Sequence, residues 1–122
     1  MKPAFSQLII FCRDVNTLAC FYTQKLGLEV VGQIHPEWTV LKAGDVEIGL
    51  HKIDNADHTD RPSAKNMKMV FRLSGDISQI RQKLIDQGVK MREVKDFSSV
   101  PYFICDGEDP EGNVFQLTVI NT

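Results

Sequence analysis

From Phe5 to Cys12 the chain is apolar on both strand parities, with Gln7, Ile9 and Phe11 on one and Leu8, Ile10 and Cys12 on the other. That pattern predicts a strand covered on both faces. Asp14 then offers an N-cap carboxylate, Leu18, Phe21, Tyr22 and Leu26 recur at helical spacing, and Gly27 supplies the stop. Leu28 to Ile34, Trp38 to Leu41 and Val46 to His51 follow as strands, the last two joined by a hairpin turn at Ala43-Gly44-Asp45. His35 stands before Pro36 and falls in a turn.

The order then repeats. Lys52 to Asn66 is polar and without apolar period; His58 lies inside it, in a solvated setting. Met67 to Leu73 predicts a strand, and Asp76 with Gln79 forms a capping-box-like start. Ile77, Ile80 and Leu84 line a helix that Gly88 ends, and Val89 to Val94, Tyr102 to Cys105 and Val114 to Ile120 give three more strands. Lys68 stands 61 positions after Gln7, as Gly88 does after Gly27, so a duplication accounts for the whole length. The expected fold class is α+β, one domain of duplicated βαβββ modules forming a curved mixed sheet around a cleft. The first module spans 1–53, the linker 54–66 and the second module 67–122.

Composition narrows the function classes. A chain of 122 residues with 43% hydrophobic and 25% charged residues can bury one core without staples. A net charge of -2 gives no basic footprint, so nucleic acid and anionic membrane are poor partners. No apolar run reaches the roughly 20 residues of a membrane span, and Met1-Lys2-Pro3-Ala4 opens without a signal-peptide pattern, so a cytoplasmic location is expected. Cys12, Cys20 and Cys105 lack zinc or redox spacing and read as small buried hydrophobes.

Parity also selects the candidate site. If Met69, Phe71 and Leu73 face the second helix, then Lys68, Val70 and Arg72 face away from it. Gln7, Ile9 and Phe11, then Gln116 and Thr118, and Trp38 and Glu47 from the middle strands share that lining. A mainly apolar concavity with a few polar groups is how small-molecule sites look. Inward-facing Lys68 and Arg72 would favour an anion; at strand ends they would instead reach water or pair with acids such as Glu47. Phe11 and Trp38 would stack on a flat ligand or serve as core, and Gln7 and Gln116 need hydrogen-bond partners. No general base stands out: Ser6, Ser98 and Ser99 lack a nucleophile motif, and Glu47 is the one carboxylate assigned to this face. Asp109-Pro110-Glu111-Gly112-Asn113 reads as a tight turn feeding the last strand, which delivers Gln116.

Two stretches carry a family resemblance. Asp14, with Phe21-Tyr22-Thr23-Gln24-Lys25-Leu26-Gly27-Leu28-Glu29-Val30, is similar to the first helix of the vicinal oxygen chelate superfamily, which includes glyoxalase I, extradiol dioxygenases and bleomycin-resistance proteins. Asp109 to Leu117 resembles that superfamily's closing turn and strand. The resemblance implies a cleft between modules, pairing of two chains as a homodimer, and, in metal-dependent members, four ligand positions that fall on Gln7, Gly49, Lys68 and Gln116. Two neutral amides, an ammonium and a residue without a side chain make a poor divalent-metal set. The expectation is therefore a protein that binds a small anionic or aromatic molecule in a metal-free cleft, with no cofactor and no assigned catalytic residue. Its ligand-binding residues would be Gln7, Phe11, Trp38, Glu47, His51, Lys68, Arg72 and Gln116. The alternative is a metal-dependent lyase, isomerase or dioxygenase-related enzyme using Gln7, His51, Glu47 and Gln116; a third is a regulatory module with a vestigial cleft.

Overall fold

Asp14 and Asp76 each start a ten-residue helix that packs on a mixed sheet, and this unit occurs twice in a computed structural model that describes residues 2, 5–53, 68–96 and 101–120. The chain divides into two compact units, Met1–Arg61 and Pro62–Thr122. The boundary stretch 54–66, read as a linker from the sequence, lies outside the described residues, as do His58 and positions 97–100.

In the first unit the order is β1 (Gln7–Cys12), α1 (Val15–Gln24), β2 (Glu29–Val31), β3 (Trp38–Ala43) and β4 (Val46–Lys52). The sheet runs β1-β4-β3-β2, with β1 parallel to β4 and the other pairs antiparallel. Asp14 caps α1 by accepting from the Thr17 N–H at 3.0 Å, and that bond holds its carboxyl below the ordinary value. Gly27 leaves the helix at φ 75°, where a side chain would be strained. Val15, Leu18, Ala19 and Tyr22 bury against Cys12, Leu41, Ile48 and Leu50. The helix covers one sheet face only: Ile9 is 43% exposed and Phe11 48%, so β1 is not covered on both sides within its unit as its apolar composition suggests. The strand expected at Leu28 to Ile34 shortens to Glu29–Val31, because Gly32 turns the chain at φ 82°.

In the second unit β5 (Met69–Leu73) and α2 (Ile77–Asp86) precede β6 (Lys90–Met91), β7 (Lys95–Asp96), β8 (Tyr102–Glu108) and β9 (Val114–Ile120). Asp76 accepts from Ser78 and Gln79 N–H groups at 2.9 and 3.2 Å. At the other end of α2 the Val89 N–H reaches the Leu84 carbonyl and Gly88 that of Ile85, closing the helix in a Schellman motif. Phe115, Leu117, Val119 and Cys105 form the buried sheet face beneath Ile77 and Leu84.

Two expectations for this unit need correction. The single strand Val89 to Val94 is two short strands, because Met91 pairs with Gly107 and Lys95 with Ile104, leaving Arg92, Glu93 and Val94 opposite only Cys105 and Asp106. This is a β-bulge, and the Arg92 carbonyl there accepts from Arg81 Nε at 2.7 Å. The strand read as Tyr102 to Cys105 continues through Asp106, Gly107 and Glu108. Gly107 is in the strand because the core crowds it: a Cβ there would stand 2.5 Å from Met91 Sδ and 2.6 Å from Phe115 Cζ. Gly107→Ala is expected to cost about 2 kcal/mol by overpacking, read as a lower urea midpoint at unchanged slope.

Cys12 and Cys105 are buried as expected, whereas Cys20 is exposed on α1 because its position on the helix faces away from the sheet. Burial pushes the Cys105 thiol above its ordinary value. Iodoacetamide on the native protein should therefore label Cys20 rapidly and leave Cys12 and Cys105 unmodified, as peptide mass spectrometry would show. No helix among the described residues is long and apolar enough to cross a membrane.

Candidate functional site

The open face of the first sheet collects the first five residues of the expected set. Register places three rows across it: Gln7, Glu47, Lys42 and Glu29; then Ile9, Gly49, Val40 and Val31; then Phe11, His51 and Trp38. Their neighbours in sequence, such as Leu8, Ile48 and Leu41, point to the helix, and the period of two sends these outward. Gln7 Nε2 donates to Glu47 Oε1 at 3.3 Å. His51 is flanked on both sides, its ring 5.3 Å from Phe11 and 5.8 Å from Trp38, at 57° and 67°. These are tilted aromatic contacts of the kind that favour ring edges on ring faces.

A turn anchored on a buried threonine sets the indole. The His35 N–H donates to Thr39 Oγ1 at 2.9 Å, the same hydroxyl donates back to the His35 carbonyl at 2.9 Å, and the Glu37 N–H donates to His35 Nδ1 at 3.1 Å. Thr39 is buried, so this staple anchors the chain where Trp38 enters β3. From there the indole lies over Gly49. A Cβ at residue 49 would overlap its Cη2 and stand 2.9 Å from Cζ3. Trp38 thus fills the space that any side chain on residue 49 would need.

The remaining three expected residues, Lys68, Arg72 and Gln116, belong to the second unit. Val70 pairs with Gln116 and Arg72 with Thr118 on β5 and β9, and Asp106 on β8 stands opposite Gln116. Lys68 Nζ donates to Asp106 Oδ2 at 2.9 Å and to Gln116 Oε1 at 3.5 Å. Arg92 approaches the same Oδ2 at 3.8 Å and Glu108 at 3.4 Å. Asp106 Oδ1 is buried with no hydrogen-bond partner among the described residues. Lys68 is therefore an ion-paired residue, its partner Asp106 rather than Glu47. Arg72 is exposed and makes no ion pair among the described residues.

Asp106 is the residue that sequence reasoning missed. Asp-Gly-Glu-Asp-Pro reads as turn chemistry, but the turn proper begins at Asp109. That buried carboxylate accepts from the Glu111 and Asn113 N–H groups through Oδ1, each at 2.9 Å, and from Asn113 Nδ2 through Oδ2 at 2.8 Å. Gly112 closes the loop at φ 82°.

The donor chemistry does not fit a divalent metal. Of the four implied positions, Gly49 lies under the indole, Lys68 holds Asp106, and the amides of Gln7 and Gln116 are engaged with Glu47 and Lys68. In the atypical set Glu47 and His51 lie four residues apart on one strand, ~13 Å along it, with His51 held between two rings. Among the described residues no three His, Cys, Asp or Glu side chains group closely enough to hold an ion.

The fold has many solved counterparts. TnmS3, an antibiotic binding protein from Streptomyces sp. CB03234, superposes with a TM-score of 0.76 at 18% identity over 98% of this chain and 97% of its own. A putative glyoxalase family protein from Bacillus anthracis gives 0.75 at 17% identity, covering 98% and 97% of the two chains. Lactoylglutathione lyase from Agrobacterium tumefaciens gives 0.70 at 16% identity, covering 97% and 94%. At these identities the likeness speaks for the fold. No curated protein matches the sequence. The family model for the Glyoxalase/Bleomycin resistance protein/Dioxygenase superfamily matches residues 4–117, a span that takes in both helix-on-sheet units, the capped first helix and the Asp109 turn. With nearly the whole chain matched and the repeated α+β units in place, this protein belongs to the glyoxalase/bleomycin resistance/dioxygenase superfamily.

Proposed function

We propose that the chain is a binding protein that captures a small flat aromatic molecule on the open face of its first sheet, without a metal ion. The observation that carries this reading is the row of three rings, Phe11, His51 and Trp38, laid across neighbouring strands on a face the helix leaves uncovered. Aromatic faces with one or two hydrogen-bonding groups nearby suit a planar ligand, and here the Trp38 indole reaches over Gly49 to the row next to Gln7 and Glu47. The likeness to an antibiotic binding protein is in keeping with capture rather than turnover. An anionic ligand has less support, because of the two cations expected to attract one, Lys68 is matched by Asp106 and Arg72 belongs to the second unit, while Lys42 on the proposed face stands between Glu29 and Glu47.

Trp38 is the single tryptophan, so its emission reports on this face directly. Titration with flat two- and three-ring aromatics should give saturable quenching and raise the melting temperature by a few degrees. Elemental analysis should find no stoichiometric zinc, nickel or manganese. Stoichiometric metal, or quenching that never saturates across the series, overturns the proposal.

A further inference from the structure

Charge on the ring-bearing face is out of balance. Lys42 stands in the ladder between Glu29 and Glu47, so one ammonium faces two carboxylates, and among the described residues it forms an ion pair with neither. Glu47 is half-buried, and among the described residues its carboxylate accepts from the neutral amide of Gln7 at 3.3 Å. Lys42, its cross-strand neighbour, is exposed and closes no ion pair with it among the described residues, so the partly desolvated carboxylate still gains from a positive charge brought against it. Two residues further along the same strand face the indole lies over Gly49, about 7 Å from the Glu47 row. A flat ring stacked on that indole would lie within reach of the carboxylate.

From this we infer that the ligand of the first sheet's open face is a planar aromatic cation, with its ring on Trp38 and its positive nitrogen directed to Glu47. The inference rests on the aromatic-binding reading above and adds the sign of the charge. Two effects act together. The indole face is the side-chain surface that attracts cations best, and Phe11 presents a second electron-rich ring in the next row. The Glu47 carboxylate supplies the full negative charge and, through the oxygen that does not hold Gln7, an acceptor for an N–H on the ligand. An anion of the same shape would meet Glu29 and Glu47, with Lys42 between them in the register as the single offsetting cation of that row.

The test uses three probes of one shape at mildly alkaline pH: N-methylquinolinium, neutral quinoline and quinoline-2-carboxylate, each titrated calorimetrically into the full chain. The cation should bind about tenfold or more tightly than the neutral ring, and the anion most weakly. In Glu47→Gln, which keeps the shape and the hydrogen bond from Gln7, the advantage of the cation over quinoline should fall to about threefold or less. Equal or tighter binding of the carboxylate, or a cation preference unchanged in Glu47→Gln, overturns the charge assignment while the aromatic site stands. If none of the three binds saturably, both the charge assignment and the aromatic-binding reading fall. Circular dichroism of the variant separates loss of charge from loss of fold.

Discussion

Asp109→Ala should lower the unfolding free energy by about 3 kcal/mol, the largest stability effect expected of any single substitution outside the helix-packed core. The carboxylate is buried and, among its hydrogen bonds, accepts from the Glu111 and Asn113 N–H groups and the Asn113 amide. Charge-assisted bonds of this kind are worth more than neutral ones, and removing the acceptor takes the carboxylate bond away from two backbone donors of the turn. The Gly112 N–H to Asp109 carbonyl bond and the Asp109 N–H to Asn113 carbonyl bond would remain, both 2.9 Å, so the turn would loosen rather than vanish. Asp109→Asn gives a graded control: it can keep the two bonds to Oδ1, but its new N–H₂ would face the Asn113 amide donor. About half the loss is expected there. Urea unfolding followed by far-ultraviolet circular dichroism measures both. A loss under 1 kcal/mol in Asp109→Ala would mean that water replaces the carboxylate at low cost.

That turn was the most legible feature in the sequence, because its chemistry is local. Pro110, Gly112 and two Asx side chains within five residues specify a turn whatever surrounds it. The helices were legible for the same reason, each announced by an aspartate and ended at a glycine. The duplication shows in the structure with one adjustment: the opening strands of the two units end 61 residues apart, at Cys12 and Leu73, whereas the two caps, Asp14 and Asp76, lie 62 apart, with Gly75 as the extra residue before the second helix.

What stayed hidden depended on contacts distant in sequence. Gly107 looks like a turn glycine until Phe115 and Met91 are seen pressing on it, so Asp106 read as loop rather than as a strand residue facing Lys68. The opposition of Trp38 and His51 was within reach. A two-residue Gly44-Asp45 hairpin pairs Ala43 with Val46, and counting back along both strands brings Trp38 opposite His51. Phe11 is different: it meets His51 through the parallel β1–β4 pairing, and nothing local specifies that register.

Gly49→Ala should abolish most ligand capture while costing little stability. The new methyl would occupy space now held by the far edge of the indole, overlapping Cη2 and crowding Cζ3 at 2.9 Å. Trp38 is half-buried at the start of a strand, so its ring can swing outward, and the expected stability loss is only about 1 kcal/mol. The stacking surface, however, would be lost from the row beside Glu47, and affinity for flat aromatics should fall at least about thirtyfold, in keeping with aromatic anchors that dominate binding at their sites. Trp38 emission should shift to the red as the ring enters water, giving a readout that does not depend on knowing the ligand. Trp38→Leu, which removes the ring but leaves Gly49 free, should lose affinity equally, and the double substitution should be no worse than either alone. Independent, additive losses would mean that Gly49 acts on the ligand directly and not through the indole.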